Sequence, residues 1–329
     1  MHELIFDEAE YLAANPDVAL AIKEGVFRNG FEHYKKYGKK EGRLLKPIAI
    51  DIEREQKIFH LINKNGQGLE IGPSYSPIAP KKKGFNVQVL DIATADQLRS
   101  KYLDHETYGV KIENIEKVDF VWHGESLCEL IGKTECYDWI ISSHVVEHIP
   151  DLISHFQQCQ SLLKPTGILS LVIPDKRFCF DYHSPITSTG NLLDAYIAKR
   201  KRPTPGQTFD YIANSIKRNG RIAWSSDQAG GTDSLIHTSE QAKDYFYKAL
   251  DSEEYIDIHC WRFTPSSFRL LISDLINLGL ISIEIKADFG TSGCEFYVSL
   301  GKTKDTHLNV DRLANLQKIL DENVLSEGE

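Results

Sequence analysis

From residue 50 onward, short apolar runs alternate with helical stretches, and this alternation constrains the fold more than any other feature of the chain. The runs are Gly68 to Ile71, Val87 to Asp91, Val118 to Trp122, Trp139 to Ser142 and Ile168 to Ile173. Such a pattern predicts parallel strands covered on both faces by crossover helices. The clearest intervening helix is expected over Val145 to Leu163, closed by Lys164-Pro165 and a turn at Gly167. A further helix, Pro265 to Leu278, and two last strands, Ile281 to Lys286 and Glu295 to Leu300, complete a doubly wound α/β sheet of seven strands. Roughly 90 residues, 175 to 263, stand between the fifth strand and that helix, an insertion long enough to serve as a lid or substrate platform.

The flanks read differently. Residues 1 to 46 predict short helices, with Asn15-Pro16-Asp17 as a break and Gly25, Gly30, Gly38 and Gly42 as punctuation. Phe6, Tyr11, Phe27, Phe31, Tyr34 and Tyr37 are expected to pack on one another or on the next domain. Residues 305 to 329 carry a last helix, Leu308 to Leu325, whose Leu313, Leu316, Ile319 and Leu320 share one face. Packing on its own domain explains that face, and a homodimer or partner contact is the alternative. The body between the flanks, 47 to 304, is the catalytic domain.

Lys plus Arg number 38 against 47 Asp plus Glu, and the net charge of −9 argues against a nucleic-acid partner. The basic run Lys199 to Arg202 reads as a solvated helix end. Six widely spaced cysteines without a CxxC pair suggest neither a zinc ribbon nor a disulfide framework, so a reducing cytoplasm is expected. Acidic residues soon after Met1 do not suit a signal peptide, and no apolar run reaches membrane-spanning length.

The chemistry concentrates in GLEIGPSYSP, residues 68 to 77. A strand ends there in Glu70-Ile71-Gly72, a turn follows, and Asp91 closes the next strand. This is the layout of an adenosine-cofactor site, where the second-strand acid holds the ribose hydroxyls. A dinucleotide needs several glycines for its pyrophosphate, but only Gly72 is present, followed by Pro73, Ser74, Tyr75 and Ser76. S-adenosylmethionine (SAM) brings a sulfonium, an ammonium and a carboxylate instead, which suit an acid such as Glu70 and a looser turn.

LEIGPSYSP, VLDIA, ISSHVVEHIPD, LLKPTGILSLVIPDKRF and CEFYVSLGK, in that order and spacing, resemble the class I SAM-dependent methyltransferases, whose sheet is Rossmann-like. The resemblance implies that Glu70, Gly72 and Ser74 line the methionine end and Asp91 holds the ribose. After the third strand the family commonly places an acid and a small residue for the adenine. Here the run is Trp122-His123-Gly124-Glu125, so His123, Gly124 and Glu125 are the candidates, and Ser143 follows at the fourth strand. FDEAEYLAANPDVA and GFEHYKKYGKKEGR resemble a small helical module attached to bacterial glycosyltransferases and methyltransferases of surface-glycan pathways.

Residues after the fourth strand approach the transferable methyl group in this fold, which makes His144 a catalytic candidate. The same stretch reads H-x-x-E-H, an inverted zinc-protease signature. A protease needs that helix in another scaffold with a remote third ligand, so no metal is assigned, and Glu147 and His148 read as helix-start residues.

Methyl transfer is an in-line displacement that the protein accelerates by alignment, and a hydroxyl acceptor also needs a base. Asp175, His237 and His259 join His144 as candidates for that base, while Arg177, His183 and Trp261 are candidates for holding the acceptor. The expected activity is methylation of a hydroxyl on a saccharide or similar small molecule, in surface-polysaccharide biosynthesis. The alternatives are a small-metabolite or peptide N/O-methyltransferase and a SAM-binding module without turnover inside a larger assembly.

Overall fold

Leu69, Ile140, Leu169 and Leu171 have no exposure to solvent, because each lies on a strand covered from both sides. The structure is a computed structural model that describes residues 6, 8–23, 25–41, 43, 54–103 and 110–324. It divides into two units, residues 1–53 and 54–329.

In the first unit, helices α1 (Glu8–Ala14), α2 (Pro16–Lys23) and α3 (Gly30–His33) lead into a π-helical turn, Tyr34–Gly38. The aromatic side chains pack on one another: Phe6 meets Tyr11, Phe31 and Tyr34, while Phe27 meets His33 and Tyr37. The Tyr11 hydroxyl and His33 Nδ1, 2.9 Å apart, share a hydrogen bond at its centre.

In the second unit, α4 (Arg54–Ile58) precedes β1 (Gly68–Ile71), β2 (Val87–Asp91), α5 (Ala95–Tyr102), β3 (Phe120–Val121), α6 (Leu127–Ile131), β4 (Tyr137–Ser143), α7 (Leu152–Leu162) and β5 (Leu163–Pro174). The insertion carries α8 (Thr189–Ile197), α9 (Pro205–Asn214), a hairpin of β6 (Ile216–Arg218) and β7 (Asp233–Leu235), and α10 (Ser239–Asp251). Helix α11 (Pro265–Asn277), strands β8 (Ile283–Ser292) and β9 (Glu295–Lys302), and helix α12 (Arg312–Val324) follow. The sheet runs β3-β2-β1-β4-β5-β9-β8. Its first five strands are parallel and β9 is antiparallel to both neighbours. This is the expected doubly wound, seven-stranded α/β sheet. One face packs against α7 and α11 through Phe156, Phe268 and Leu271, and the other against Ile58 and Phe59 beside Trp139 and Val172.

The expected helix Val145 to Leu163 is a short 3-10 turn, Val146–His148, a break, and then α7. Pro150 explains the break, since a residue before proline is pushed out of the helical region, and Ile149 sits at φ −76, ψ 114. Asp151 then caps α7 by accepting the Ser154 N–H at 3.0 Å. The last helix is shorter than expected and ties to α11 through polar groups, with the Ser266 hydroxyl donating to Glu322 at 2.6 Å and Arg312 paired with Asp274. Much of its apolar side faces solvent, with Leu313 78% and Leu320 59% exposed, while Ile319 is half-buried. No described helix is long and apolar enough to cross a membrane.

Candidate active site

A cavity of about 870 Å3 opens at the carboxyl ends of the parallel strands, walled by the loops after β1, β2, β3 and β4 and by the returning end of the insertion. The strand order reverses there, between β1 and β4. Open α/β sheets bind their ligands at such switch points.

Gly72 turns the chain out of β1 at φ 66. A Cβ at that position would stand 2.7 Å from Val145 Cγ2, so the β1 and β4 loops meet at a distance only glycine permits. Ser74, also left-handed at φ 47, directs its N–H to Asp91 Oδ2 at 3.0 Å, and Ile92 N–H reaches Oδ1 at 2.8 Å. Each Asp91 oxygen keeps acceptor capacity for a ribose hydroxyl. Burial pushes the Asp91 carboxyl above its usual range despite the two bonds that favour its charge.

Glu70 lies behind this turn and closes it, accepting the N–H groups of Ile78 at 2.6 Å and Ala79 at 3.1 Å. Burial pushes its carboxyl up to about 7, against those two bonds. The Ser74 hydroxyl is buried and has no hydrogen-bond partner, although Ser74 lines the cavity. A glycine cradle, a buried acid with spare acceptors and an orphaned hydroxyl fit an adenosine cofactor with a polar amino-acid end.

Ile92, Trp122, Leu127 and Ile149 give the cavity an apolar wall suited to an adenine. His155 shares it, and burial pushes its imidazole down to about 4, which keeps it neutral. His123 and Gly124 line the cavity. Glu125 instead turns back onto the His123 N–H at 2.8 Å and faces a neighbouring groove with Lys199 to Arg202.

Ser143, His144, His148, Tyr255 and Asp257 form the polar end. His144 holds a left-handed backbone at φ 53, which is strain of the kind that accumulates at working sites. Its Nε2 lies 2.8 Å from Glu295, which also accepts from Arg54 at 2.6 Å and from the Tyr297 hydroxyl at 2.8 Å. Burial opposes charge on Glu295, but these three partners outweigh it and hold the carboxyl down at about 2. For His144, burial lowers the pKa, and the bond to Glu295 with the nearby Glu147 carries it above its usual range. Arg54 also reaches the Ser143 hydroxyl at 3.2 Å.

The other candidates lie elsewhere. Asp175 is fully buried and held by Arg177, with Nε at 2.9 Å and Nη2 at 2.6 Å, so acid and base neutralise each other outside the cavity lining. His183 pairs with Asp233 at 3.0 Å, and neither it nor His237 lines the cavity. Trp261 is a clamp whose indole N–H donates to the Ile149 carbonyl at 2.6 Å. His259 lies behind His148, with ring centroids 4.7 Å apart, and bonds Asp181 at 2.5 Å. Sequence gives no signal for Arg54, Tyr255 or Asp257, which reach the site only through folding of distant segments.

The sheet order is that of a doubly wound α/β fold, and the lining of its strand-tip cavity fits an adenosine cofactor. Residues 50–272 match the family model described as a methyltransferase domain, and the chain belongs to that family of SAM-dependent methyltransferases. Over 127 residues it is 29% identical to a ubiquinone biosynthesis O-methyltransferase from Actinobacillus pleuropneumoniae serotype 7, covering 38% of this chain and 52% of the relative. The chain thus spans about half the length of the curated relatives it matches. Among solved structures it is similar to a SAM-dependent methyltransferase from Methanosarcina mazei (16% identity, 78% of this chain and all of that one, TM-score 0.39). It is also similar to the methyltransferase CalH in complex with SAH (15% identity, 73% and 52% coverage, TM-score 0.36).

Proposed function

We propose that the protein moves a methyl group from SAM to a hydroxyl of a saccharide or similarly hydroxylated small molecule, in surface-polysaccharide biosynthesis. One observation carries this reading: the cavity continues from the Asp91 cradle into an end lined by Ser143, His144, His148, Tyr255 and Asp257. Such a lining offers donors and acceptors to a polyhydroxylated acceptor. SAM supplies an electrophilic methyl on a sulfonium and leaves as S-adenosylhomocysteine (SAH). His144 is the cavity-lining candidate to take the acceptor proton, while Glu295 orients its ring. A phenolic acceptor is the second reading, supported by the name of the Actinobacillus relatives.

Release of SAH from SAM, followed with a panel of sugars, sugar nucleotides and phenols, separates the readings. Turnover with the sugar group supports the first and turnover confined to phenols the second. SAM binding without turnover on any acceptor would leave a binding module.

Glu70 makes the cofactor half testable by pH. The SAM ammonium favours an ionised neighbour, so raising the pH from about 6 to about 7.5 strengthens SAM binding as the Glu70 proton leaves. In Glu70→Gln that dependence flattens. Parallel pH profiles of Kd in the two proteins would remove Glu70 from the methionine end.

A further inference from the structure

Glu147 has no solvent exposure, and neither of its carboxylate oxygens has a hydrogen-bond partner. A buried carboxylate left this way is costly unless a cation meets it. Three imidazoles surround it: Oε1 lies 3.8 Å from His144 Nδ1, 3.9 Å from His148 Nε2 and 3.9 Å from His259 Nε2. These gaps are too long for hydrogen bonds. They are also only a few tenths of an ångström wider than the roughly 3.4 Å between ligand atoms of a tetrahedral cation at about 2.1 Å.

The outward nitrogens of two rings bond a carboxylate, His144 Nε2 at 2.8 Å from Glu295 and His259 Nδ1 at 2.5 Å from Asp181, while His148 Nδ1 lies 2.9 Å from Asp257 without the alignment of a hydrogen bond. A carboxylate on the far nitrogen keeps the proton there and leaves the inward nitrogen as a lone pair, the arrangement found behind metal-bound histidines. The fold builds this cluster deliberately. The returning end of the insertion is stitched to the turn after β4, as Cys260 and Trp261 N–H both donate to the Glu147 carbonyl, at 2.7 and 3.1 Å, and the Tyr255 hydroxyl donates to the His148 carbonyl at 2.9 Å. This brings His259 from a distant segment to within 3.9 Å of Glu147 in the H-x-x-E-H string.

We propose that Glu147, His148 and His259, whose ligand atoms all lie within 4.8 Å of one another, bind a first-row divalent cation such as Zn2+. Two imidazoles and one carboxylate leave a fourth position, and of the three ligands His148 lines the cavity. On the hydroxyl-transfer reading above, on which this part rests, the acceptor oxygen occupies the fourth position. The cation lowers the hydroxyl pKa, His144 or solvent takes the proton, the oxygen–methyl bond forms, and the carbon–sulfur bond breaks to release SAH. The cation changes no oxidation state.

The test is direct binding of the metal. Tag-free full chain, stripped with a chelator and dialysed, is titrated with Zn2+ alone by calorimetry and in competition with a chromophoric chelator. The proposal expects about one equivalent per chain, with affinity reduced 100-fold or more in His259→Ala and in the isosteric Glu147→Gln. His60→Ala, which changes an exposed histidine away from the cluster, should bind as the parent does. Circular dichroism confirms that each variant folds, and the near-isosteric Gln variant decides if the Ala variant does not. Absence of stoichiometric binding, or unchanged affinity in Glu147→Gln, overturns the proposal. Turnover of an acceptor by metal-free protein would overturn the catalytic role and leave the hydroxyl-transfer reading standing. Zn2+ binding without turnover on any acceptor would do the reverse.

Discussion

Asp91→Ala should lower SAM affinity about 100-fold or more while the protein stays folded. A hydrogen bond to a charged group contributes about 1.5–3 kcal/mol, and the proposed ribose clamp makes two of them, each tenfold step in Kd being about 1.4 kcal/mol. Stability should suffer less than affinity. Burial raises the Asp91 pKa, so the folded state holds that charge at a cost, and removing it offsets part of what is lost when the Ser74 and Ile92 N–H groups lose their acceptor. Calorimetric titration beside a melting curve reads both quantities. Unchanged SAM affinity in a folded Asp91→Ala protein would place the ribose elsewhere.

Trp139→Ala should destabilise the second unit by about 3–5 kcal/mol, the usual cost of removing a buried tryptophan side chain. The ring has no solvent exposure, lies directly over Gly68 on the neighbouring strand, and meets Phe85 edge-on at 6.4 Å. A Cβ at residue 68 would collide with it, so β1 and β4 are matched as a glycine and a large ring. The indole nitrogen is buried without a partner, and losing it returns a little of the cost. Urea unfolding should show a lower midpoint with an unchanged slope. A loss below about 1 kcal/mol would mean that Trp139 does not hold these strands together.

What the sequence discloses tracks how local the determining physics is. Strands β1 and β2 have the bounds their apolar runs predict, Gly68–Ile71 and Val87–Asp91, because burial on both faces leaves an unbroken signal. Between Val145 and Leu163 the helical periodicity outweighs Ile149-Pro150-Asp151 in a window-based reading, yet that break makes the turn on which His144, Glu147 and His148 sit. Proline's effect on its predecessor is local and was available. The approach of His259 to Glu147 was not, since it depends on a long insertion returning to pair its backbone with the β4 turn. Similar logic covers Arg54, which comes from before the first strand and meets Glu295 near the last. Asp175 and Arg177 stand two apart in sequence and look site-facing at a strand end, but their mutual ion pair sequesters both.

The central claim is that the turn after β1 and the acid at the tip of β2 together hold a sulfonium-bearing adenosine. Isothermal titration of the full chain with SAM, SAH and NAD in turn tests it most directly. The account predicts saturable binding of about one SAM or SAH per chain and no heat with NAD. Binding of NAD with silence toward both SAM and SAH would contradict it.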